Sequence, residues 1–150
     1  METKESLDKA KELRENVRQL ERKLGILEDG EMSCCSLTMA QCHALVEIGR
    51  AECISLIELA KLLDLDNSTM SRTVNNLVNS GMAERALDPN DRRYVTIRLT
   101  PEGNGDFREI ESNMSAYYAR IYAAIPPEDR QMVLDSLQKL LKAIEDSECC

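Results

Sequence analysis

Two groups of residues in this 150-residue chain have types and spacings that could do chemistry. The first is a set of thiols. Cys34 and Cys35 are adjacent, Cys42 and His43 follow seven or eight residues later, Cys53 comes next, and Cys149 and Cys150 are the last two residues. Soft thiolates suit zinc, copper(I) or a trivalent metalloid, and an imidazole can join them for zinc. Taken singly, each has an ordinary structural reading: Cys42 a small buried hydrophobe, His43 a satisfied helix residue, Cys149 and Cys150 a frayed end. Taken together, Cys34, Cys35 and Cys42 put three thiols within reach of one ion, or of an oxidant. The second group is polar. Ser68, Thr69, Ser71, Arg72, Asn75 and Asn76 fall within nine residues, and Asp91, Arg92 and Arg93 follow. Serine, asparagine and arginine are the side chains that reach base edges and phosphate oxygens in a nucleic-acid groove.

Catalysis fits the first group poorly. Cys42 and His43 are consecutive, so on a helix they point about 100° apart and cannot form a nucleophile–base dyad with each other. Cys34 or Cys35 could approach His43, but no orienting motif or glycine-rich phosphate loop accompanies them. The expectation is that the chain is not an enzyme. A protein-interaction module that binds no nucleic acid remains a competing class.

The formal net charge of -8 argues against nucleic acid only if the charge is spread evenly. It is not. Residues 66–98 hold Arg72, Arg85, Arg92, Arg93 and Arg98 against Asp66, Glu84, Asp88 and Asp91, while the flanking stretches 29–65 and 99–150 are acidic. An acidic body can therefore present a locally basic edge. Phe and Tyr make up 3% of the residues and Trp is absent, so the core must come from Leu, Ile, Val, Met and Ala. That favours packed helices over a β-sandwich. The amino-terminal stretch has charges every second or third residue and no apolar run of membrane-spanning length. A cytoplasmic protein with no membrane partner is expected, its cysteines thiols or metal ligands rather than disulfides.

The elements that must position these residues can be read from periodicity. Leu7, Ala10, Leu13, Val17, Leu20, Leu24 and Leu27 form one helical stripe, which predicts a long first helix ending near Gly25 to Gly30, with EDGEMSCCS as a loop. Thr38 is a good N-cap for a second helix, expected to close at Gly49, and Ser55 caps a short third that should bury Ile57, Leu59, Ala60 and Leu63. Leu65, Asp66 and Asn67 make a tight turn into a fourth helix from about Ser68 to Asn79, closed by Gly81. Two helices joined this closely form a helix-turn-helix. On the fourth, Met70, Val74, Leu77 and Val78 share one face; Ser68, Arg72, Asn75 and Asn79 lie opposite, flanked by Ser71 and Asn76. A merely solvated face in so acidic a chain should carry Glu and Lys. This one carries neither.

MAERAL and RRYVTIRL are β-rich around a DPND turn, which predicts a hairpin with Val95, Ile97 and Leu99 packed and Tyr94, Thr96 and Arg98 wet. Arg92 and Arg93 sit just past its turn, where a narrow minor groove would attract a guanidinium, and Asp91 could orient one of them. Thr100, Pro101 and Glu102 start a fifth helix with the stripe Phe107, Ile110, Met114, Tyr117 and Ile121. Pro126 and Pro127 break it, and a sixth carries Val133, Leu134, Leu137, Leu140, Leu141 and Ile144.

The segments LTMAQCHAL, LIELAKLLDLDNSTMSRTVNNLVNSGMAER and DPNDRRYVTIRLTPEG, spanning Leu37 to Gly103, resemble the multiple antibiotic resistance regulator (MarR) family in order and spacing. The wing of DNDRR type followed by LTPEG is the most specific part, and the flanking helices extend the resemblance over nearly the whole chain. The resemblance implies a mainly α fold: a winged helix-turn-helix of six helices plus a β-hairpin wing, in a dimeric architecture. It implies one domain over 1–150, with 38–100 the DNA-binding lobe and 1–30 and 101–150 the dimerisation helices. It also implies a repressor that binds a pseudo-palindromic double-stranded operator as a homodimer, released by a ligand or an oxidant. Zinc-responsive members are similar in using the first loop and the second helix for ligands, and they add histidines from the fifth helix. Here DFREIESNMSAYYARIY has neither His nor Cys, which leaves a three-thiolate metal or metalloid site or a redox switch, completed by Cys149 or Cys150 of the partner subunit. A small-molecule effector with purely structural cysteines is the alternative.

Overall fold

The computed structural model describes residues 3–29 and 37–147. Among these, six α-helices and three short strands follow in the order α1 (Lys4–Asp29), α2 (Met39–Ala51), β1 (Ile54–Ser55), α3 (Leu56–Leu62), α4 (Asn67–Asn79), β2 (Ala83–Leu87), β3 (Val95–Leu99), α5 (Pro101–Ala124) and α6 (Arg130–Asp146). A 3₁₀ turn, Pro127–Asp129, precedes α6. The chain divides into two compact units, Met1–Glu111 and Ser112–Cys150. No helix among the described residues is long and apolar enough to cross a membrane.

In the first unit the core lies where α2, α3 and α4 meet the sheet. Leu45, Ile48, Leu59, Met70, Val74, Leu77 and Ile97 are completely buried, each such side chain contributing about 1.5–3 kcal/mol of transfer free energy. Local chemistry sets the helix starts. The Thr38 hydroxyl accepts from the Gln41 amide at 3.2 Å and the Gln41 side chain accepts from the Thr38 amide; Ser55 and Glu58 repeat the pattern at α3. Each is a reciprocal capping box, which satisfies two otherwise orphaned donors.

The ends are set as sharply. After α4 the Met82 amide donates to the Leu77 carbonyl and the Gly81 amide to Val78, with Gly81 at φ 76°. This is the paired hydrogen-bond closure that wants glycine in the left-handed region. After α3 the same two bonds run from Leu65 to Ala60 and from Asp64 to Lys61, with Asp64 at φ 53°. The turn between the two helices is thus fixed by backbone bonds.

Two expectations fail here. The second helix does not stop at Gly49; it runs on to Ala51, and Gly49 faces the Phe107 ring, whose atoms would lie 2.5–2.7 Å from an added Cβ. Glycine at 49 serves close packing of α2 against α5. Ile57 is not buried but 44% exposed, and Leu63 is only half-buried. A two-turn helix can bury one stripe, α3 buries Leu59 and Ala60, and Ile57 lies about 200° around the helix from Leu59.

The sheet has strand order β1-β3-β2, all antiparallel, with Ile54 opposite Ile97 and Arg85 also opposite Ile97 on the other side. The hairpin of β2 and β3 was expected; β1 was not. In the second unit, Arg130 at the start of α6 donates to the carbonyls of Tyr122, Ala123 and Ile125 at 3.1–3.2 Å and stacks 5.0 Å from the Tyr122 ring. It satisfies carbonyls that the end of α5 leaves orphaned. No residue of α6 is buried.

Candidate nucleic-acid interface

The start of α4 is fixed by Asp66, whose carboxylate accepts from the Thr69 amide at 3.1 Å. The hydrogen bonds to Thr69 hold the Asp66 carboxyl below its ordinary value, and the Arg72 charge adds to the effect. Burial of Met70, Thr73, Val74 and Leu77 then orients the helix. Ser68, Arg72, Asn75, Asn76 and Asn79 are exposed, with Thr69 and Ser71 half-buried at the margin. Every polar residue read from the sequence as a groove-reading side chain on α4 therefore lies on the outer face or at its edge. The 13 residues of α4 include no acid, so nothing within the helix itself repels phosphate.

The wing is the loop between β2 and β3. Asp88 accepts from the Asn90 amide at 2.8 Å and Asp91 from the Arg93 amide at 3.1 Å, two successive side-chain turns that shape the tip. The Asp91 carboxylate also takes both Nε and Nη2 of Arg93, at 3.0 and 2.9 Å. This pairing lowers the Asp91 pKa and raises that of Arg93. Asp91 thus orients one wing arginine, as the sequence suggested, and that arginine is Arg93. Arg92 is exposed and has no hydrogen-bond or ion-pair partner among the described residues.

The base of the wing is held from two sides. Arg98 and Glu84 pair across β2 and β3. The Thr100 hydroxyl donates to the Gly81 carbonyl at 2.6 Å and accepts from the Gly103 amide at 3.1 Å. A Cβ on Gly103 would fall 1.9 Å from the Met82 carbonyl oxygen, so α5 starts in direct contact with the backbone between α4 and β2. On the other side of the lobe, Arg50 bridges Glu47 and Glu111, each at 3.2 Å, and ties α2 to α5.

The thiol group is only partly on view. Cys42 is half-buried near the start of α2, His43 beside it is exposed, and Cys53 is exposed after the helix. Cys34, Cys35, Cys149 and Cys150 lie outside the described residues. Among the described residues no three His, Cys, Asp or Glu side chains are grouped to hold a metal ion. The sequence places Arg85 in the basic stretch but does not show its contact: the guanidinium donates to the Ser71 carbonyl at 3.3 Å. No local pattern marks a contact between residues 14 apart.

A helix-turn-helix whose second helix presents a polar, acid-free face, followed at once by a sheet with an arginine-bearing tip, defines a winged helix-turn-helix protein. The chain matches the MarR family over residues 37–95. It is 38% identical over 72 residues to the multiple antibiotic resistance protein MarR of Salmonella typhimurium (strain LT2), a stretch covering 48% of this chain and half of that protein. Among solved structures, Streptococcus pneumoniae FabT in complex with DNA has the same fold, with TM-score 0.85 and 21% identity over 93% of this chain and 99% of that one. A Cys-to-Ser variant of E. coli MarR complexed with operator DNA aligns with TM-score 0.72 and 26% identity, covering 88% and 92%.

Proposed function

We propose that this protein binds a pseudo-palindromic double-stranded DNA operator as a homodimer in the cytoplasm and represses transcription from it. The single observation that carries the reading is the outer face of α4, polar and free of acid, in one lobe with a wing that ends in Arg92 and Arg93. Arg72 and Asn75 read base edges in the major groove, helped by Ser68, Thr69, Ser71 and Asn76. Arg92 and Arg93, the latter held by Asp91, supply phosphate or minor-groove affinity. Residues 38–100 form the DNA-binding lobe. The second copy is called for by apolar rows that stay exposed: Leu7, Leu13 and Leu20 on α1, Tyr118 and Tyr122 on α5, and Leu134, Leu137, Leu141 and Ile144 on α6. Residues 1–30 and 101–150 supply that interface. A mobility-shift assay tests the reading. Arg92→Ala and Arg93→Ala should each weaken binding across sequences and lower the salt slope by about one unit per lost phosphate contact, and unchanged binding in both would remove the wing from the site. A shift by no duplex at all would favour a protein-interaction module.

The regulatory input we assign to Cys34, Cys35 and Cys42, with His43 and the carboxy-terminal pair Cys149 and Cys150 as further donors. In support, Cys42 sits on α2, whose Ala44, Leu45 and Ile48 are buried in the DNA-binding lobe. A bond made at that helix start changes DNA affinity only by its differential affinity for two arrangements of the lobe. The test titrates operator binding with trivalent arsenic, zinc, copper(I) and peroxide, in wild type and in the triple variant Cys34→Ser, Cys35→Ser, Cys42→Ser. No response, or an equal response in the variant, would make these cysteines structural and point to a small-molecule effector.

A further inference from the structure

We infer that Arg85 is the positioning residue that sets the angle of the wing against α4, and through it the geometry in which the two elements read DNA. The inference rests on the DNA-reading proposal above. The hairpin register carries it. Residues paired across antiparallel strands point to the same face, so Ala83 with Leu99, Arg85 with Ile97 and Leu87 with Val95 share one face, while Glu84 with Arg98 and Ala86 with Thr96 share the other. Ala83, Ile97 and Leu99 are buried, so the first face is the one packed on the helices. Arg85 is therefore a charged residue at a position of β2 where the pleat asks for an apolar one.

Its guanidinium reaches across to the carbonyl of Ser71, in the second turn of α4, whose ordinary partner is the Asn75 amide. Arginine's several donors in a rigid fork suit it to such a bridge. Beyond Arg85 the hairpin leaves the helical layer. Leu87 is exposed, and the tip from Asp88 to Tyr94 is held by its own Asx turns and the Asp88–Tyr94 backbone bond. Arg85 thus stands at the point where the wing departs, and bonds to the turn of α4 that carries Ser71 and Arg72. A long side chain fixed there holds two reading elements in register. Losing it leaves both folded but free to rock.

Such a residue differs from a phosphate contact in a way that can be measured. A lost phosphate contact lowers the salt slope by about 0.9; a lost clip lowers affinity and sequence discrimination with the slope unchanged. The experiment uses the full chain and a duplex selected by the wild type from a random library. Arg85→Met, Arg85→Gln and Arg85→Lys are compared by salt-dependent binding, and by backbone NMR relaxation of the free proteins. We expect Arg85→Met to lower specific affinity about tenfold with the wild-type slope, and to raise the mobility of amides 86–95. Arg85→Gln, neutral but able to donate to the Ser71 carbonyl, restores most of both. The inference is overturned if Arg85→Met loses about one unit of slope and only Arg85→Lys rescues it, or if its wing stays as rigid as the wild type's. A wild type that binds no duplex sinks the DNA-reading proposal and the role of Arg85 with it. A wild type that binds, beside an Arg85→Met protein indistinguishable from it, overturns only the role of Arg85.

Discussion

Ile48 on α2 and Ile144 on α6 are the same side chain, each in the last turn of its helix, yet Ile48 is completely buried and Ile144 is 60% exposed. The contrast extends to their surroundings. The lobe built from α2, α3, α4 and the sheet closes a core with its own residues, and nearly every buried hydrophobic side chain belongs to it. Helices α1 and α6 carry apolar rows as regular as any in the lobe, and no described side chain on either is buried. Stability is thus written into one part of the sequence, while the other carries the apolar rows proposed for association. Substitutions in the two parts should fail in different ways.

The largest effect belongs to the lobe. Leu45→Ala, at a fully buried site, should lower unfolding free energy by about 2–5 kcal/mol in urea titrations, whereas Ile144→Ala should change the stability of the isolated chain by under about 0.5 kcal/mol. Next comes association. The double variant Leu141→Asp, Ile144→Asp places two carboxylates in the proposed interface and should weaken the dimer about a hundredfold in sedimentation while the circular dichroism of the lobe is retained. A wild-type chain that sediments as a folded monomer at micromolar concentration would erase the contrast. Smaller again is Gly81→Ala. Alanine would have to adopt φ 76° at the close of α4, and a loss of about 1–2 kcal/mol is expected from thermal melts.

The smallest effect is a pH dependence. Asp66 has a depressed folded-state pKa, set by its bonds to Thr69. Its contribution is complete above the unfolded value of about 3.9 and is lost as pH falls through the lower folded value. Hydrogen exchange of the first turn of α4 should therefore accelerate only in acid. Asp66→Asn keeps an accepting oxygen and should flatten that profile. If exchange accelerates equally in the variant, the cap is not the cause.

What could be read from the sequence follows the range of the interaction responsible. Thr38, Ser55 and Gly81 announce their caps within a few residues, and DPND announces its turn, so the helix-turn-helix and the hairpin were legible. The α4 face was legible because burial of Met70, Val74 and Leu77 is itself a periodic pattern. Strand β1 was not, since Ile54 and Ser55 become a strand only by pairing with Ile97 and Thr96, some forty residues on. Gly49 looked like a stop because glycine ends helices more often than it admits a ring, and Phe107 is far away in sequence. The link from Arg85 to Ser71 is tertiary in the same sense. The wing pair of Asp91 and Arg93 was half legible: the neighbours suggested an orienting carboxylate, and only geometry says which arginine it takes.

Selection of bound duplexes from a random library by the wild-type protein tests whether α4 reads sequence while the wing adds affinity. The expected result is enrichment of a two-fold-symmetric motif whose half-sites are separated by whole helical turns of about 10.5 base pairs. Arg72→Ala should alter the motif, while Arg92→Ala should recover the same motif at lower affinity. A folded protein that enriches no sequence, or whose motif is unmoved by Arg72→Ala and rewritten by Arg92→Ala, would contradict that division between α4 and the wing.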